Sequence, residues 1–372
     1  MIKVLELVYA LYDGGAENIA REYASTLNEE KFNTAIVTVL NMKTTANYRR
    51  AMQASIKIRS VYKDSSVVSK IRFRLFGIRA VAKKIKRIIE EEKPDVIHIH
   101  SALLKYFVPI SEELKGIALF YTCHSNPSSF FAGKNSLEKP AAEFLIKNNG
   151  LRLVALHDKM RVELNEMFGV DNTVAVKNGV NFKIFNPNAE SRMCARKELG
   201  IPDDEFVIGH IGRFAKVKNH SFLIDVFNEV CKRKTNASMI LVGNGPLQSE
   251  IKEKIESLGL TEKVKILSNR TDTAELLNAM DVFVFPSFYE GLPVTLVEAQ
   301  ATGLRCVVSD RINPESFLTE KTIPTNIDEP AEKWAAIVLD DSATTGTYGD
   351  LSAFDINKEI KKLELIYEKN YQ

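Results

Sequence analysis

The chain has 372 residues, 45% of them hydrophobic and 26% charged, with a formal net charge of +2. That is enough for two ordinary domains, too apolar for a disordered chain, and too near neutrality for a global field that would draw nucleic acid. The four cysteines, Cys123, Cys194, Cys231 and Cys306, lie far apart with no metal-ligand spacing, so they read as the reduced thiols of a cytoplasmic protein. The first eight residues carry charge inside an apolar run, which fits a first strand and not a signal peptide. Elsewhere polar residues interrupt every apolar segment short of the ~20 residues that cross a bilayer.

Short β-branched runs alternate with helical patterns through the first half, and strands are expected over 2–8, 35–40, 56–61, 96–100, 119–123 and 151–155. The first helix should open near 14–16, with Ile19, Tyr23 and Leu27 on one face. A turn-rich stretch over 177–188 suits a linker. From Phe206 the pattern restarts, with strands over 206–211, 239–242, 264–267, 282–285 and 306–308 and helices over 219–231, 247–258, 274–280 and 294–302. The expected class is α/β: a Rossmann-like domain over 1–180, a second over 181–354, and a closing amphipathic helix over 355–372 with a route back to the first. Residues 320–350 carry no clear pattern. Open parallel sheets bind ligands beyond their strand carboxyl ends, so two facing domains of this kind are expected to hold a cleft between them.

The most informative segment runs from Phe285 to Ala299. Pro293 and Gly291 precede a helix whose free amides and dipole suit a diphosphate, while Glu290 in the loop and Glu298 in the helix can each read vicinal hydroxyls. Either carboxylate could also be an ordinary surface charge at a helix start. Near the end of the strand over 206–211, Arg213 offers a bidentate fork and Lys218 a point charge. Gly243-Asn244-Gly245-Pro246-Leu247 follows the next strand, and Asp13-Gly14-Gly15-Ala16-Glu17 follows the first.

Together these segments resemble retaining glycosyltransferase family four, with its GT-B fold of two facing Rossmann-like domains. Phe285–Ala299 is similar to the family's donor motif of two glutamates eight apart, Arg213 and Lys218 to the cations that stabilise its leaving nucleotide diphosphate, and Gly243–Leu247 to its turn beside the nucleotide. The resemblance implies that Gly14, Gly15, Gly243, Gly245, Arg270, Gly291, Leu292, Pro293 and Glu298 contact the donor, and that Arg213, Lys218, Glu290 and His124 serve the reaction. Asn269 stands where relatives usually carry a glycine at the base, which weakens the reading of uracil.

His124 follows the strand over 119–123 and resembles the family's sugar-contacting histidine, although a buried, hydrogen-bonded histidine would fit the same place. His98 and His100 share a sheet face. Their spacing could chelate a metal, but no third ligand is evident, so His98 is expected to be structural and His100 to reach the ligand. Glu17 is either a helix cap or an acceptor contact. No D-x-D or phosphate-binding P-loop motif occurs, and no metal or bound cofactor is expected; the nucleotide sugar is a co-substrate. Basic residues over 70–89 (Lys70, Arg72, Arg74, Arg79, Lys83, Lys84, Lys86, Arg87) accompany apolar residues at helical spacing, which fits either a solvated outer helix or a contact with anionic lipid on the inner face of the plasma membrane.

The resulting expectation is retaining, metal-independent transfer from a UDP-sugar to a glycan or lipid-linked acceptor in bacterial surface polysaccharide assembly. A nicotinamide dehydrogenase would need G-x-G-x-x-G after the first strand, which is missing. A silent sugar-nucleotide-binding partner subunit is the remaining alternative.

Overall fold

The computed structural model describes every residue except 13, 63–76, 132–136, 291, 345–348 and 372. The chain divides into two compact units, Met1–Gly179 with Ile356–Gln372, and Val180–Asp355.

The first unit is built on seven parallel strands: β1 (Ile2–Val8), β2 (Phe32–Leu40), β3 (Lys57–Tyr62), β4 (Val96–Ile99), β5 (Ala118–Thr122), β6 (Arg152–Ala155) and β7 (Val174–Ala175). Their order across the sheet is β3-β2-β1-β4-β5-β6-β7. Every sequence-predicted strand is present, and β7, two residues long, escapes periodicity altogether. The sheet is apolar on both sides, as a parallel sheet covered on two faces must be. Leu5, Leu7, Ile97, Ile99, Leu119 and Tyr121 belong to one core, and Val8, Leu11 and Ile36 to another. Helix Gly15–Thr26 packs Ile19 and Tyr23 fully buried, with Leu27 just beyond its end. The C-terminal helix Ile356–Tyr371 packs against this unit, burying Ile360, Leu363 and Tyr367. Its Glu359 and Glu364 accept from the amides of Lys177 and Asn28 at 2.9 and 2.8 Å.

The second unit repeats the design with β8 (Phe206–Ile211), β9 (Ala237–Val242), β10 (Val264–Leu267), β11 (Val282–Phe285), β12 (Arg305–Ser309) and β13 (Thr322–Thr325), all parallel, in the order β10-β9-β8-β11-β12-β13. The stretch that lacked a sequence pattern supplies β13 and the helix Ala331–Leu339, which buries Trp334 completely. A buried arginine ties the sheet's centre to its surroundings. Arg196 donates to the carbonyls of Ala279, Pro202, Asp203 and Glu205 and pairs with Asp281, whose carboxylate also takes the Val207 amide at 2.7 Å. In each unit the strand order reverses beside the first strand, between β1 and β4 and between β8 and β11. Loops diverge there and leave a crevice at the carboxyl ends.

Candidate active site

In the second unit, the loops leaving β8 and β11 converge at that reversal. The Phe288 amide donates to the Val217 carbonyl at 2.9 Å, which fastens one loop to the other, and Glu290 bridges onward to Ile312 beyond β12. This brings Lys218 and Glu290 together: Nζ lies 2.6 Å from Oε1, with both side chains about one-sixth exposed, and the ammonium sits 4.7 Å over the Phe285 ring. Arg213, next door, is exposed, and its guanidinium has no hydrogen-bond or ion-pair partner among the described residues.

The helix Val294–Ala301 starts here with Pro293 as its N-cap, one position earlier than a first-turn proline. The Pro293 carbonyl takes the amides of Leu296 and Val297 at 3.0 and 3.3 Å, so Val294 and Thr295 supply the amides left at the mouth. Glu298 is half-buried on the second turn. Leu292 is 7% exposed, and its side chain packs in the core and holds the loop down. Gly291 lies outside the described residues.

Three more residues expected on the donor side have defined contacts within the unit. A Cβ on Gly243, at φ +149°, would collide with the Gly212 carbonyl, and one on Gly245 with the Phe214 backbone. These glycines let the loops after β8 and β9 close on each other, and the Gly243 amide is already given to Leu267 at 2.9 Å. Arg270 is held by Asp272 through two hydrogen bonds and by Glu198 at 2.8 Å, a cation already matched by carboxylates. Asn269 has φ 55°, the left-handed conformation glycine takes freely and asparagine most readily of the rest, which explains the exchange.

Behind Lys218 lie two histidines that motif reading passed over. His210 is wholly buried, donates from Nδ1 to the Val284 carbonyl at 2.9 Å, and has no partner at Nε2 among the described residues; His220 packs 4.8 Å away against Phe214. Burial holds both rings neutral, and the Lys218 charge adds to this, pushing the His220 pKa down to about 4.

In the first unit, Gly14 is the N-cap of helix Gly15–Thr26, and Glu17 folds its carboxylate back over it so closely that a Cβ on Gly14 would run into it. That is the geometry of a capping glutamate three positions in, at the helix start. Gly15 faces open space.

His100, expected to reach the ligand, is 2% exposed. Its Nε2 lies 2.6 Å from Glu6 Oε2 and its Nδ1 3.0 Å from Nε2 of His124, which is part-exposed. His98 sits between Tyr367 Oη at 2.6 Å and Thr122 Oγ1 at 2.7 Å. The third group missing from the histidine pair is thus Glu6, in register with His98 across β1 and β4. Ligand atoms of Glu6, His98 and His100 lie within 4.8 Å of one another, yet each is engaged by a hydrogen bond, so shared protons account for the cluster.

The basic helix begins, in the described residues, at Gly77 and ends at Glu92; Lys70, Arg72 and Arg74 lie outside them. Its apolar face, Val81, Ala82, Ile85, Ile88 and Ile89, is core. Lys86 pairs with Glu113, Arg87 with Glu91 at 2.9 Å, and Lys84 lies 3.8 Å over the Tyr62 ring. That apolar face is therefore spent on folding, while Arg79 and Lys83 are exposed. Among the described residues no helix is long and apolar enough to cross a membrane.

Comparison with known proteins places this geometry. The family described as Glycosyltransferase Family 4 matches residues 13–183, and that described as Glycosyl transferases group 1 matches residues 192–342. EpsF of Bacillus subtilis, named as a glycosyltransferase, is 33% identical over 69% of this chain and 68% of its own length. An Escherichia coli UDP-Gal:alpha-D-GlcNAc-diphosphoundecaprenol alpha-1,3-galactosyltransferase is 27% identical over 63% of this chain, and the match spans 62% of that enzyme. The crystal structure of HepE from Anabaena, in complex with UDP and glucose, aligns at a TM-score of 0.76 and 19% identity over 99% of this chain and 100% of that one, a likeness of fold. With both halves matched by glycosyltransferase families and EpsF similar over two thirds of its length, the chain belongs to the family-four glycosyltransferases of GT-B type.

Proposed function

We propose that the chain moves a sugar from UDP onto a hydroxyl of a polysaccharide or lipid-linked glycan, with retained anomeric configuration and without a divalent metal. The observation that carries this reading is the Lys218–Glu290 pair at the strand-order reversal, beside an Arg213 unpaired among the described residues and a helix mouth. The Escherichia coli relative is named for a UDP-galactose donor and an acceptor on diphosphoundecaprenol, which supports the choice of nucleotide and acceptor class.

In the proposed step the bond from the anomeric carbon to the diphosphate oxygen breaks, and a bond to the acceptor oxygen forms on the same face. The acceptor's proton passes to a diphosphate oxygen. Negative charge grows on the departing diphosphate, and Arg213, Lys218 and the amides of Val294 and Thr295 offset it. Because the ion pair fixes Lys218 beforehand, little reorganisation is needed as charge develops. Glu290 accepts from the sugar's hydroxyls, Glu298 from the ribose, and His124 meets the sugar's hydroxymethyl side. Gly14 and Gly15 give the first unit's turn its close approach, while Gly243 and Gly245 shape the second unit's loops. A peripheral contact with anionic lipid would be electrostatic, through exposed cations such as Arg79 and Lys83.

The test is UDP release with a nucleotide-sugar and acceptor panel, comparing wild type with Arg213→Ala and Glu290→Ala. Each variant should lose roughly 10²–10³-fold in kcat, the range for removing one preorganised charge-stabilising group. Near-wild-type turnover in both would remove the proposed roles.

A further inference from the structure

Glu6 lies inside β1 with no exposure, and among the described residues neither Lys nor Arg pairs with it. A buried carboxylate without a cation is costly, whereas a neutral carboxylic acid that both donates and accepts is not. Its two oxygens have distinct neighbours: Oε1 accepts from the Tyr367 hydroxyl at 3.3 Å, and Oε2 meets His100 Nε2 at 2.6 Å.

Counting protons along the contacts gives one direction in which every group is satisfied. Tyr367 has a single hydroxyl proton, and donating it to Glu6 Oε1 requires its oxygen to accept from His98 Nδ1–H at 2.6 Å. His98 Nε2 then accepts from the Thr122 hydroxyl at 2.7 Å. On the other side, Glu6 Oε2–H donates to His100 Nε2, and His100 Nδ1–H donates to His124 Nε2 at 3.0 Å. The chain Thr122, His98, Tyr367, Glu6, His100, His124 thus holds no buried charge, and His124 is left with its proton on Nδ1, which has no partner among the described residues. The reverse arrangement, with Glu6 ionised, would turn both His100 and His124 to the Nε2–H form and leave the buried carboxylate without a cation. Burial raises the Glu6 pKa and lowers those of His98, His100 and His124, the direction the neutral chain requires. Tyr23, whose ring lies 5.9 and 5.7 Å from His98 and His100, keeps a buried hydroxyl outside the chain.

We infer that Glu6 and His100 are positioning residues: a buried, neutral, one-directional hydrogen-bond chain fixes the ring and tautomer of His124, so that its outer nitrogen is a donor aimed at a ligand oxygen. A donor there selects for a hydroxyl or phosphate oxygen offering a lone pair. That the ligand is a transferred sugar rests on the function proposed above; the tautomer does not.

The experiment is imidazole 15N–1H correlation on the ligand-free, 15N-histidine-labelled full chain, with the six histidines assigned by single His→Gln variants. His98, His100 and His124 should all be neutral with the proton on Nδ1. Glu6→Ala should move His124 off that single tautomer, and Glu6→Gln, whose amide can still donate to His100, should restore it; where Glu6→Ala does not fold, His100→Phe replaces it. The loss of kcat in Glu6→Ala should also vanish in a His124→Ala background, the mark of a residue acting through another. His124 found with its proton on Nε2, His124 resonances indifferent to Glu6→Ala, or stoichiometric zinc uptake that Glu6→Gln abolishes would each overturn the inference. A failed transfer assay with intact tautomers would instead count against the proposed reaction.

Discussion

The two units share one strand order over six strands and still build opposite electrostatic environments at the same topological place. In the second, the polar groups stand on loops beyond the strand ends: Lys218 and Glu290 form a partly solvated ion pair, and Arg213 is exposed. In the first, Glu6 and His98 lie within β1 and β4, with His100 just past the end of β4, and burial keeps them neutral. The difference teaches that depth along the strand, more than topology, decides the chemistry. Groups past the last ladder bond keep enough water to carry charge toward an anionic ligand, while groups inside the sheet can offer only oriented, neutral hydrogen bonds.

The largest expected effect tests the charged side of that contrast. Lys218→Met removes the cation and leaves Glu290 as an uncompensated, mostly buried carboxylate, so kcat should fall roughly 10²–10³-fold. The double variant Lys218→Met with Glu290→Gln should unfold at higher denaturant than Lys218→Met alone, because the stranded charge is gone. Equal midpoints for the two would mean that the pair is solvated and the contrast between units smaller than drawn.

The neutral side is tested by pH. His98, His100, His124, His210 and His220 have lowered folded-state pKa values, to about 3 for His100 and about 4 for His220. The unfolded chain therefore binds protons that the folded one refuses. Stability contributed this way is full above the unfolded histidine value near 6.5 and is lost as pH falls through it. Glu6 has the opposite sign: its raised folded value gives stability that is full below about 4.5 and lost as pH rises. Urea midpoints should thus decline from pH 7 to 5. They should decline more steeply in Glu6→Gln, which lacks the opposing group. Parallel curves for the two proteins would show that Glu6 is ionised in the folded state.

Much of the fold was legible because fully buried parallel strands leave short β-branched runs and their turns. β13 was not, since Pro324 interrupts it; a proline is tolerated there because the strand lies at the sheet edge. The donor-side loops were readable as motifs, but what each residue does was not. Gly243 and Gly245 serve loop packing, Arg270 answers two carboxylates, and Leu292 joins the core, facts set by neighbours distant in sequence. Glu6 carried a signal that was passed over: an acid inside a strand destined for burial needs partners, and His98 and His100 were two such groups with a shared face. Tyr367, 361 residues from Glu6, gave no local signal at all.

A smaller effect is expected where the C-terminal helix enters the neutral network. Tyr367→Phe deletes the hydroxyl between His98 and Glu6 and leaves two buried polar atoms short of a partner, a loss of about 1–3 kcal/mol in chemical denaturation. A change within a few tenths would mean that water replaces the hydroxyl and the first unit is wetter than its burial implies.

The smallest effect belongs to the second unit's backbone. Asn269 holds φ 55° and accepts from Asn244 Nδ2 at 2.8 Å, so Asn269→Gly exchanges one exposed hydrogen bond and some chain entropy for relief of the left-handed conformation. These terms oppose, and the net change should stay within about 1 kcal/mol. Asn269→Val meets the same dihedral with a β-branched side chain and should cost about 1–2 kcal/mol. If valine were tolerated as well as glycine, the turn would not be left-handed in solution, and the account of asparagine in the place of the family's glycine would fail with it.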